Sequence, residues 1–254
     1  MLDEWLLCDF HIHTTFSDGT LSLPEVIDLY GENGFDAICI TDHILDTCEL
    51  ERRKKLQQST WAIERAFFRK YLHVLEEEAR RAWEQYGMIV MPGAEMTNNT
   101  QGYHILGLDI REFIDPDLSV PSIVHAIHLQ EGLAIAPHPY RGILDGTRQL
   151  MYVWDHHEQL ANLFDAWEFA NRHDLFPEVG QEGLNCVANS DFHEPSHLYS
   201  WKTLVWAEKQ TASIKAAIRE NHSVSLYRFA GRTTGNILQT FIPIEKSIPS
   251  AVGA

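Results

Sequence analysis

The feature that most constrains the fold is an apolar run near the start of the chain that leads directly into metal-binding side chains. Residues 5–8 are predicted to form a buried strand, and the segment 9–19 that follows carries His11 and His13. Alternate residues of a strand point to the same face, so we expect the two imidazoles to project together. Asp18 returns on the loop just after them. Two imidazoles and a carboxylate that converge at a strand end favour a site for a divalent metal ion.

The next segment is predicted to contain a helix and then a second buried strand that leads into a histidine. Ser22 and Glu25 form a predicted capping box at the start of a helix that we expect to end at Gly34. The apolar run 37–40 is then typical of a buried parallel strand, and it leads into His43. His43 is therefore predicted at the carboxyl end of a strand, where βα architectures carry their chemistry.

Further apolar runs of strand length are followed or begun by ligand-type residues. They are 88–91 before Glu95, 103–107 with His104, 133–136 before His138, and 185–188 before Asp191 and His193. In all, nine ligand-type residues lie at six segments: His11, His13, Asp18, His43, Glu95, His104, His138, Asp191 and His193. Chance would have to place each of them independently, so the joint pattern predicts a metal site. The six histidines favour zinc, manganese or iron over calcium or magnesium. Magnesium remains possible.

Composition excludes several other classes of protein. The net charge of −16 argues against a general surface for nucleic acid or for an anionic membrane, which needs clustered basic charge. We find no signal peptide and no apolar run of membrane-spanning length, and the four cysteines form no CxxC pair. We therefore expect a cytoplasmic protein without disulfides or membrane partners, whose oligomeric state the sequence does not indicate.

The chain of 254 residues is predicted to form a single α/β domain over residues 1–230. Residues 46–86 read as a helical excursion from this domain, with Leu72, Leu75, Ala79 and Trp83 on one stripe. This stripe indicates that one face of the helix packs on the domain while the rest faces solvent. The alternative interpretation of residues 46–86 is a lid or a dimerisation arm. Residues 231–254 are predicted to be a C-terminal tail that either docks or is disordered.

Six segments in this order resemble the motifs of the PHP (polymerase and histidinol phosphatase) phosphoesterases. They are DFHIHTTFSDG, ITDH, GAEMT, YHILG, APHP and NSDFH, and they span residues 9 to 193. The resemblance implies a distorted TIM-like (β/α)7 barrel of the PHP type. It also implies two or three divalent ions. One would take His11, His13, Glu95 and Asp191, a second Glu95, His104 and His138, and a third Asp18, His43 and His193. Asp18 stands where some relatives have histidine.

The expected chemistry is attack on phosphorus by a metal-bridging hydroxide, because bound divalent ions lower the pKa of water and clamp the phosphate oxygens. The residues expected to act are Glu95, Asp191 and His193 at the ions. His197 is expected either to protonate the leaving oxygen or to pack behind the metals. Arg141 resembles a phosphate-binding arginine of the family, and Asn171 and Arg172 are further candidates for substrate binding. Asp42 is expected to orient the imidazole of His43.

The leading hypothesis is a metal-dependent phosphoesterase that hydrolyses a small phosphomonoester, such as a nucleotide, a nucleoside bisphosphate or a sugar phosphate. The alternatives are a PHP-type 3′–5′ exonuclease on single-stranded nucleic acid, an amidohydrolase, and a non-catalytic metal-binding scaffold. The acidic chain makes nucleic acid an expected partner only as a short substrate.

Overall fold

The computed structural model describes residues 3–144, 147–149, 151–221, 224–231 and 241–242. Most of the predicted tail, and the side chains of residues 141–149, lie outside the described part of the chain. The strands are β1 (Glu4–Ile12), β2 (Ala37–Ile40), β3 (His43–Leu45), β4 (Ile89–Asn98), β5 (Tyr103–Leu108), β6 (Leu133–Ala136), β7 (Arg141–Leu144), β8 (Thr147–Gln149), β9 (Ala166–Asn171), β10 (Asp174–Leu175), β11 (Cys186–Asn189), β12 (Trp201–Ala207), β13 (Val224–Arg228) and β14 (Phe241–Ile242).

The helices cover the outside of the strands. They are α1 (Leu23–Glu32), α2 (Thr47–Lys55), α3 (Phe68–Tyr86), α4 (Val120–His128), α5 (Tyr152–Asp155), α6 (His157–Leu160), α7 (Pro177–Gln181) and α8 (Thr211–Glu220). The capping box predicted at Ser22 and Glu25 is present at the start of α1. Short 3₁₀ turns lie at Arg65–Phe67, Ala161–Leu163 and Pro195–Leu198.

Within the described residues, the strands other than β7 and β8 form one curled mixed sheet that makes a half-barrel. Its order is β10-β9-β6-β5-β4-β2-β1-β12-β13-β14, with β11 beside β9 and β3 beside β4. Strands β1, β2 and β4 are parallel to one another, whereas β5 runs antiparallel to both β4 and β6. The predicted α/β class is confirmed, and the closed barrel of seven βα units stays a prediction.

Strand β11 is brought against β1 by bonds that lie outside the regular ladders. The backbone N–H of Phe10 donates to Asn189 Oδ1 at 2.9 Å. Further along, the N–H of His13 donates to the carbonyl of Phe192 at 2.8 Å, and the N–H of Phe192 donates to the carbonyl of His11 at 3.0 Å. These bonds join β11, which lies beside β9, to β1 in another part of the sheet, at the place where the first and last predicted metal ligands lie.

The two central ligand strands are longer than the apolar runs predicted. Strand β1 extends through Ile12, and β4 continues past Glu95 to Asn98 because β5 pairs with it over this whole stretch. Glu95 therefore lies inside a strand, where its neighbour on β3 is His43, rather than just after a strand end.

The predicted excursion 46–86 contains α2, a 3₁₀ turn and α3. In α3, Leu72 and Leu75 are buried and Ala79 is partly buried, but Trp83 is 51% exposed. The stripe is thus covered only along its first part, where α3 packs on β4 and α1. None of the helices in the described part of the chain has both the length and the hydropathy needed to cross a membrane.

Candidate metal centre

The structure brings all nine predicted ligand residues together at one end of the curled sheet. Their ligand atoms fall into three overlapping groups, in which the atoms lie within 4.8 Å of one another. The groups are His11, His13 and Glu95; Glu95, His104 and His138; and His13, Asp18, His43 and His193. Asp191 adjoins the first group, since its Oδ1 lies 3.4 Å from Nε2 of both His11 and His13. Residues as far apart in the chain as His11 and His193 thus meet at one centre.

The first group has the spacing of a metal site. Glu95 Oε2 lies 3.5 Å from His11 Nε2 and 3.4 Å from His13 Nε2. Ligand atoms at 2.0–2.1 Å from a tetrahedral ion lie about 3.3 Å apart, so these separations match ligands arranged around a common cation. The other oxygen of Glu95 lies 3.3 Å from His138 Nε2 and 2.7 Å from His104 Nδ1. Glu95 therefore faces two groups at once.

The group around Asp18 is built in the same way but is more open. Asp18 Oδ1 lies 3.2 Å from His193 Nε2, 3.5 Å from His43 Nε2 and 4.0 Å from His13 Nδ1. The Asp18 side chain is 28% exposed, whereas those of the two other carboxylates in the centre are almost fully buried. This is the side of the centre that is accessible to solvent.

Several buried atoms of the centre lack a hydrogen-bond partner among the described residues. They include His11 Nε2, both ring nitrogens of His13, Asp18 Oδ1 and Glu95 Oε2. Each such buried atom costs about 1–3 kcal/mol, and native proteins contain few of them. So many in one place, with acceptor atoms facing one another, indicate that a cation completes the site. The donor set of imidazoles and carboxylates fits zinc, manganese or iron.

The surroundings of Glu95 and His13 keep these two residues in the forms that bind metal. Burial raises the pKa of Glu95, but the neighbouring His104, His43 and His11 outweigh this and hold the pKa well below its usual range. Burial lowers the pKa of His13, and His43 and His193 lower it further. Glu95 is therefore a carboxylate and His13 a neutral imidazole at pH 7, as metal ligation requires. Burial lowers the pKa of His11, but Asp191, Glu95 and Glu168 outweigh this and hold it well above its usual value, so this ring has to release a proton when an ion binds.

Glu168, a fully buried carboxylate in β9 that was not among the predicted residues, fixes the first group. Its Oε1 accepts from Nδ1 of His11 at 3.0 Å, and its Oε2 accepts from the backbone N–H of His138 at 2.7 Å. The bond to His11 places the ring proton on Nδ1, so that Nε2 presents its lone pair to the centre. The signal that could have revealed it is a single acidic residue inside the apolar strand AWEFA.

The predicted role of Asp42 is wrong, because its carboxylate does not contact the ring of His43. It accepts instead from the N–H and hydroxyl of Thr14 at 2.7 and 2.8 Å and from the hydroxyl of Ser17 at 2.6 Å. Asp42 thus fixes the loop that carries Asp18. The Nδ1 atom of His43 instead lies 2.7 Å from the hydroxyl of Thr97 and 2.9 Å from Glu95 Oε2.

Comparisons with known proteins agree with this centre. The sequence profile described as "PHP domain" matches residues 9–114. The chain is also 30% identical over 146 residues to the uncharacterized protein MJ1587 of Methanocaldococcus jannaschii, a match that covers 53% of this chain and 68% of that protein. The chain belongs to the PHP domain family. The predicted membership of this family is confirmed.

Solved structures share the fold of this PHP domain. One is a two-domain protein from Bacteroides vulgatus containing a predicted PHP-like metal-dependent phosphoesterase, which is 25% identical with a TM-score of 0.65. The match covers 89% of this chain, and the chain spans 66% of the length of that protein. Another is PsfC from Pseudomonas syringae, 14% identical with a TM-score of 0.56, where the match covers 89% of this chain and 93% of PsfC.

The two predicted substrate residues at the end of β9 differ in what they contact. Arg172 donates through Nη2 to the backbone carbonyl of Asp191 at 2.8 Å and to its Oδ2 at 3.2 Å. These contacts place Arg172 at the metal centre. Its side chain is 33% exposed, so part of its surface is accessible. Asn171 is buried and donates its amide to Glu168 Oε2 at 2.7 Å, which makes it a support for that carboxylate.

His197 and Arg141 are the remaining predicted residues. The ring Nδ1 of His197 accepts from the backbone N–H of His193 at 3.1 Å. Burial, together with the charge of Arg172, lowers the pKa of His197 to about 4, so the ring is neutral at pH 7. This favours the predicted packing role over protonation of a leaving group. Arg141 begins β7, and its side chain lies outside the described part of the structure.

A buried lysine lies next to the PHP centre and makes the stability of the fold depend on pH. The ammonium group of Lys202 lies 3.3 Å from the carboxylate of Asp9 and donates to the hydroxyl of Ser200 at 2.7 Å. Burial lowers the pKa of Lys202 from 10.5 to about 8, although Asp9 opposes the shift.

We expect the free energy of unfolding to rise between pH 8 and pH 10.5 relative to that of a Lys202→Met variant. Below this range both the folded and the unfolded chain hold the proton, and the folded chain bears the cost of a buried charge. Within it the folded chain releases the proton first, which stabilises the wild-type protein by up to about 3 kcal/mol. Urea titrations of both proteins across the range measure this, and a constant difference would contradict it.

Proposed function

We propose that this PHP domain is a metal-dependent phosphoesterase that hydrolyses a small phosphomonoester. The observation that carries the proposal is the convergence of the nine ligand residues, with unpartnered buried atoms of His11, His13, Asp18 and Glu95 all directed at one pocket. The description of the Bacteroides vulgatus relative as containing a predicted PHP-like metal-dependent phosphoesterase supports the same class.

In this proposal the residues would hold two or three ions, with zinc, manganese or iron the metals that suit them best. His11, His13, Glu95 and Asp191 would hold one ion, Glu95, His104 and His138 a second, and Asp18, His43 and His193 a third. Bound divalent ions supply positive charge for the phosphate and lower the pKa of water so that it can act as a nucleophile.

The other residues of the chain prepare this centre. Glu168 fixes the ring of His11, and Arg172 holds the carboxylate of Asp191 in place. The exposed part of the Arg172 guanidinium is positioned to contact a phosphate oxygen, which its fork of N–H groups suits. Arg141 is proposed as a second phosphate contact on the strength of the family motif alone. The two arginines would orient the ester for attack from the metal side.

We further propose that the curled sheet belongs to a distorted (β/α)7 barrel that occupies residues 1–230. The bonds between the ends of β1 and β11 support closure, because they join the two sides of the sheet that the ladders leave apart. A closed arrangement would keep the nine ligand residues at fixed separations without any ion.

The test is a phosphate-release screen over nucleoside monophosphates, nucleoside bisphosphates and sugar phosphates, on protein loaded with manganese, iron or zinc. Metal content is measured on the same sample. We expect hydrolysis of at least one ester that requires bound metal. Degradation of single-stranded DNA with no release from the monoesters would favour the exonuclease, and stable metal binding without any hydrolysis would favour the scaffold.

A further inference from the structure

The excursion between β3 and α3 places an aromatic side chain at the rim of the metal centre. The indole ring of Trp61 packs edge to face on the imidazole of His43, with ring centroids 5.0 Å apart and an angle of 60° between the planes. The backbone N–H of Ile63 donates to the carbonyl of His43 at 2.8 Å, so this loop is bonded directly to the ligand strand. Trp61 is neither buried nor fully exposed, which leaves part of the indole accessible beside the pocket.

The guanidinium of Arg53 covers one face of the indole. The guanidinium carbon lies 4.4 Å from the centroid of the Trp61 ring, within the range of a cation–π contact. Arg53 itself is fixed, because Nε donates to Glu49 Oε1 at 2.7 Å and Nη1 donates to the carbonyl of Ser59 at 3.1 Å. The indole is therefore a rigid surface that would lose little conformational entropy when a ligand stacks on it.

The helix that carries Arg53 is rich in basic residues, most of which are paired with acidic side chains. The last turn of α2 carries four consecutive basic residues, Arg52, Arg53, Lys54 and Lys55, although the chain as a whole has a net charge of −16. Arg52 and Arg53 both pair with Glu49, at 2.6 and 2.7 Å, and the ammonium group of Lys54 lies 3.9 Å from Glu64. These acidic partners offset much of the basic charge, so the inference depends on the indole ring and not on the charge of α2.

We propose that Trp61, backed by Arg53, is the specificity-determining wall of the site and stacks on a planar aromatic ring in the alcohol part of the substrate. The substrate class is then a phosphomonoester of a nucleoside or of a similar aromatic alcohol. This rests on the proposed function, since it needs the phosphate at the metal centre. The short distance from Trp61 to His43 puts the indole within reach of a ring attached to that phosphate.

The test compares adenosine monophosphate with glycerol phosphate, which has no ring to stack. The variants are Trp61→Ala, Trp61→Phe and, as a matched control, Trp83→Ala, which removes an exposed tryptophan from α3. Stacking of a base on an aromatic side chain is expected to be worth about tenfold to hundredfold in affinity. We expect Trp61→Ala to lose this factor in kcat/KM for adenosine monophosphate relative to glycerol phosphate, mainly through KM. Trp61→Phe should recover most of the loss.

Binding of both esters is measured by calorimetry on the same proteins, with and without metal. This separates the inference from the proposed function. If the affinity for adenosine monophosphate depends on Trp61 but the protein hydrolyses no ester, stacking on Trp61 is supported and the proposed phosphoesterase activity is contradicted. If both esters are hydrolysed and Trp61→Ala changes kcat/KM equally for both, or for neither, stacking on Trp61 is contradicted and the phosphoesterase activity is supported. Absence of Trp61-dependent binding and of hydrolysis would reject both.

Discussion

A Glu95→Ala variant is expected to lose phosphoester hydrolysis and most of its bound metal. One oxygen of Glu95 lies 3.4–3.5 Å from His13 and His11, and the other lies 3.3 Å from His138, so one substitution removes a ligand from two groups. The loss of activity should exceed the factor of about 100 that removal of a residue behind a ligand can cost. Phosphate release and metal content, measured on one preparation, check the prediction.

Glu84→Ala is the matched control, because Glu84 is an exposed glutamate on α3 and lies outside the three ligand groups. Glu95→Gln provides a second comparison that keeps the shape of the side chain and removes its negative charge. Circular dichroism establishes that each variant is folded. Full metal content together with full activity in folded Glu95→Ala would contradict the assignment of Glu95 to the centre.

The positions of the ligands could be predicted because each follows or begins an apolar run of strand length. His11, His43 and His138 illustrate this, since the runs before them form β1, β2 and β6. Such local patterns also set the buried strands, which read as continuous apolar sequence. What the local pattern did not contain was the direction of β5. Its antiparallel pairing with β4 extends that strand and sets His104 beside Glu95.

The supports of the ligands could not be predicted, because they depend on contacts between distant strands. His11 and Glu168 are 157 residues apart in the chain and meet only after β1 and β9 have entered the same sheet. Asp42 shows the opposite case. It is adjacent to His43 in sequence, yet its side chain bonds to the loop at Thr14. Proximity along the chain is therefore a poor guide to which carboxylate orients an imidazole.

The helical stripe of α3 shows a related limit. Periodicity identifies which residues share a face of a helix, but the length over which that face is covered depends on the neighbouring elements. Helix α3 packs on β4 and α1 along Leu72 and Leu75, and this cover does not extend to Trp83. The buried face of α3 continues to Ala82, so the predicted stripe was right at Leu72 and Leu75 and left the buried face at Trp83.

Glu168→Gln is the second substitution expected to have a large effect, although the side chain lies behind the ligands. Oxygen Oε1 accepts from His11 and Asn189, and Oε2 accepts from the backbone N–H of His138 and the amide of Asn171. The carboxylate thus satisfies four donors. A glutamine of the same size has a donor NH₂ in place of one oxygen, so two of the four donors would then face another donor in either orientation.

The expected result is a metal affinity lower by about 10- to 100-fold, because the ring of His11 loses the acceptor that fixes its tautomer and orientation. Burial raises the pKa of Glu168, but His11 and the N–H of His138 outweigh this and keep it below its usual value, so the carboxylate is the form that acts. Glu182→Gln is the control, since Glu182 is exposed at the end of α7.

Metal titration distinguishes this positioning role from general damage to the fold. If Glu168 acts through His11, the activity of the variant should be low at limiting metal and should recover toward the wild-type kcat at saturating metal. A shifted titration with a recovered plateau cannot come from a misfolded fraction, because misfolded protein lowers the plateau at every metal concentration. An unshifted titration with a lowered plateau would instead show that Glu168 supports the strands and leaves the affinity of the first ligand group unchanged.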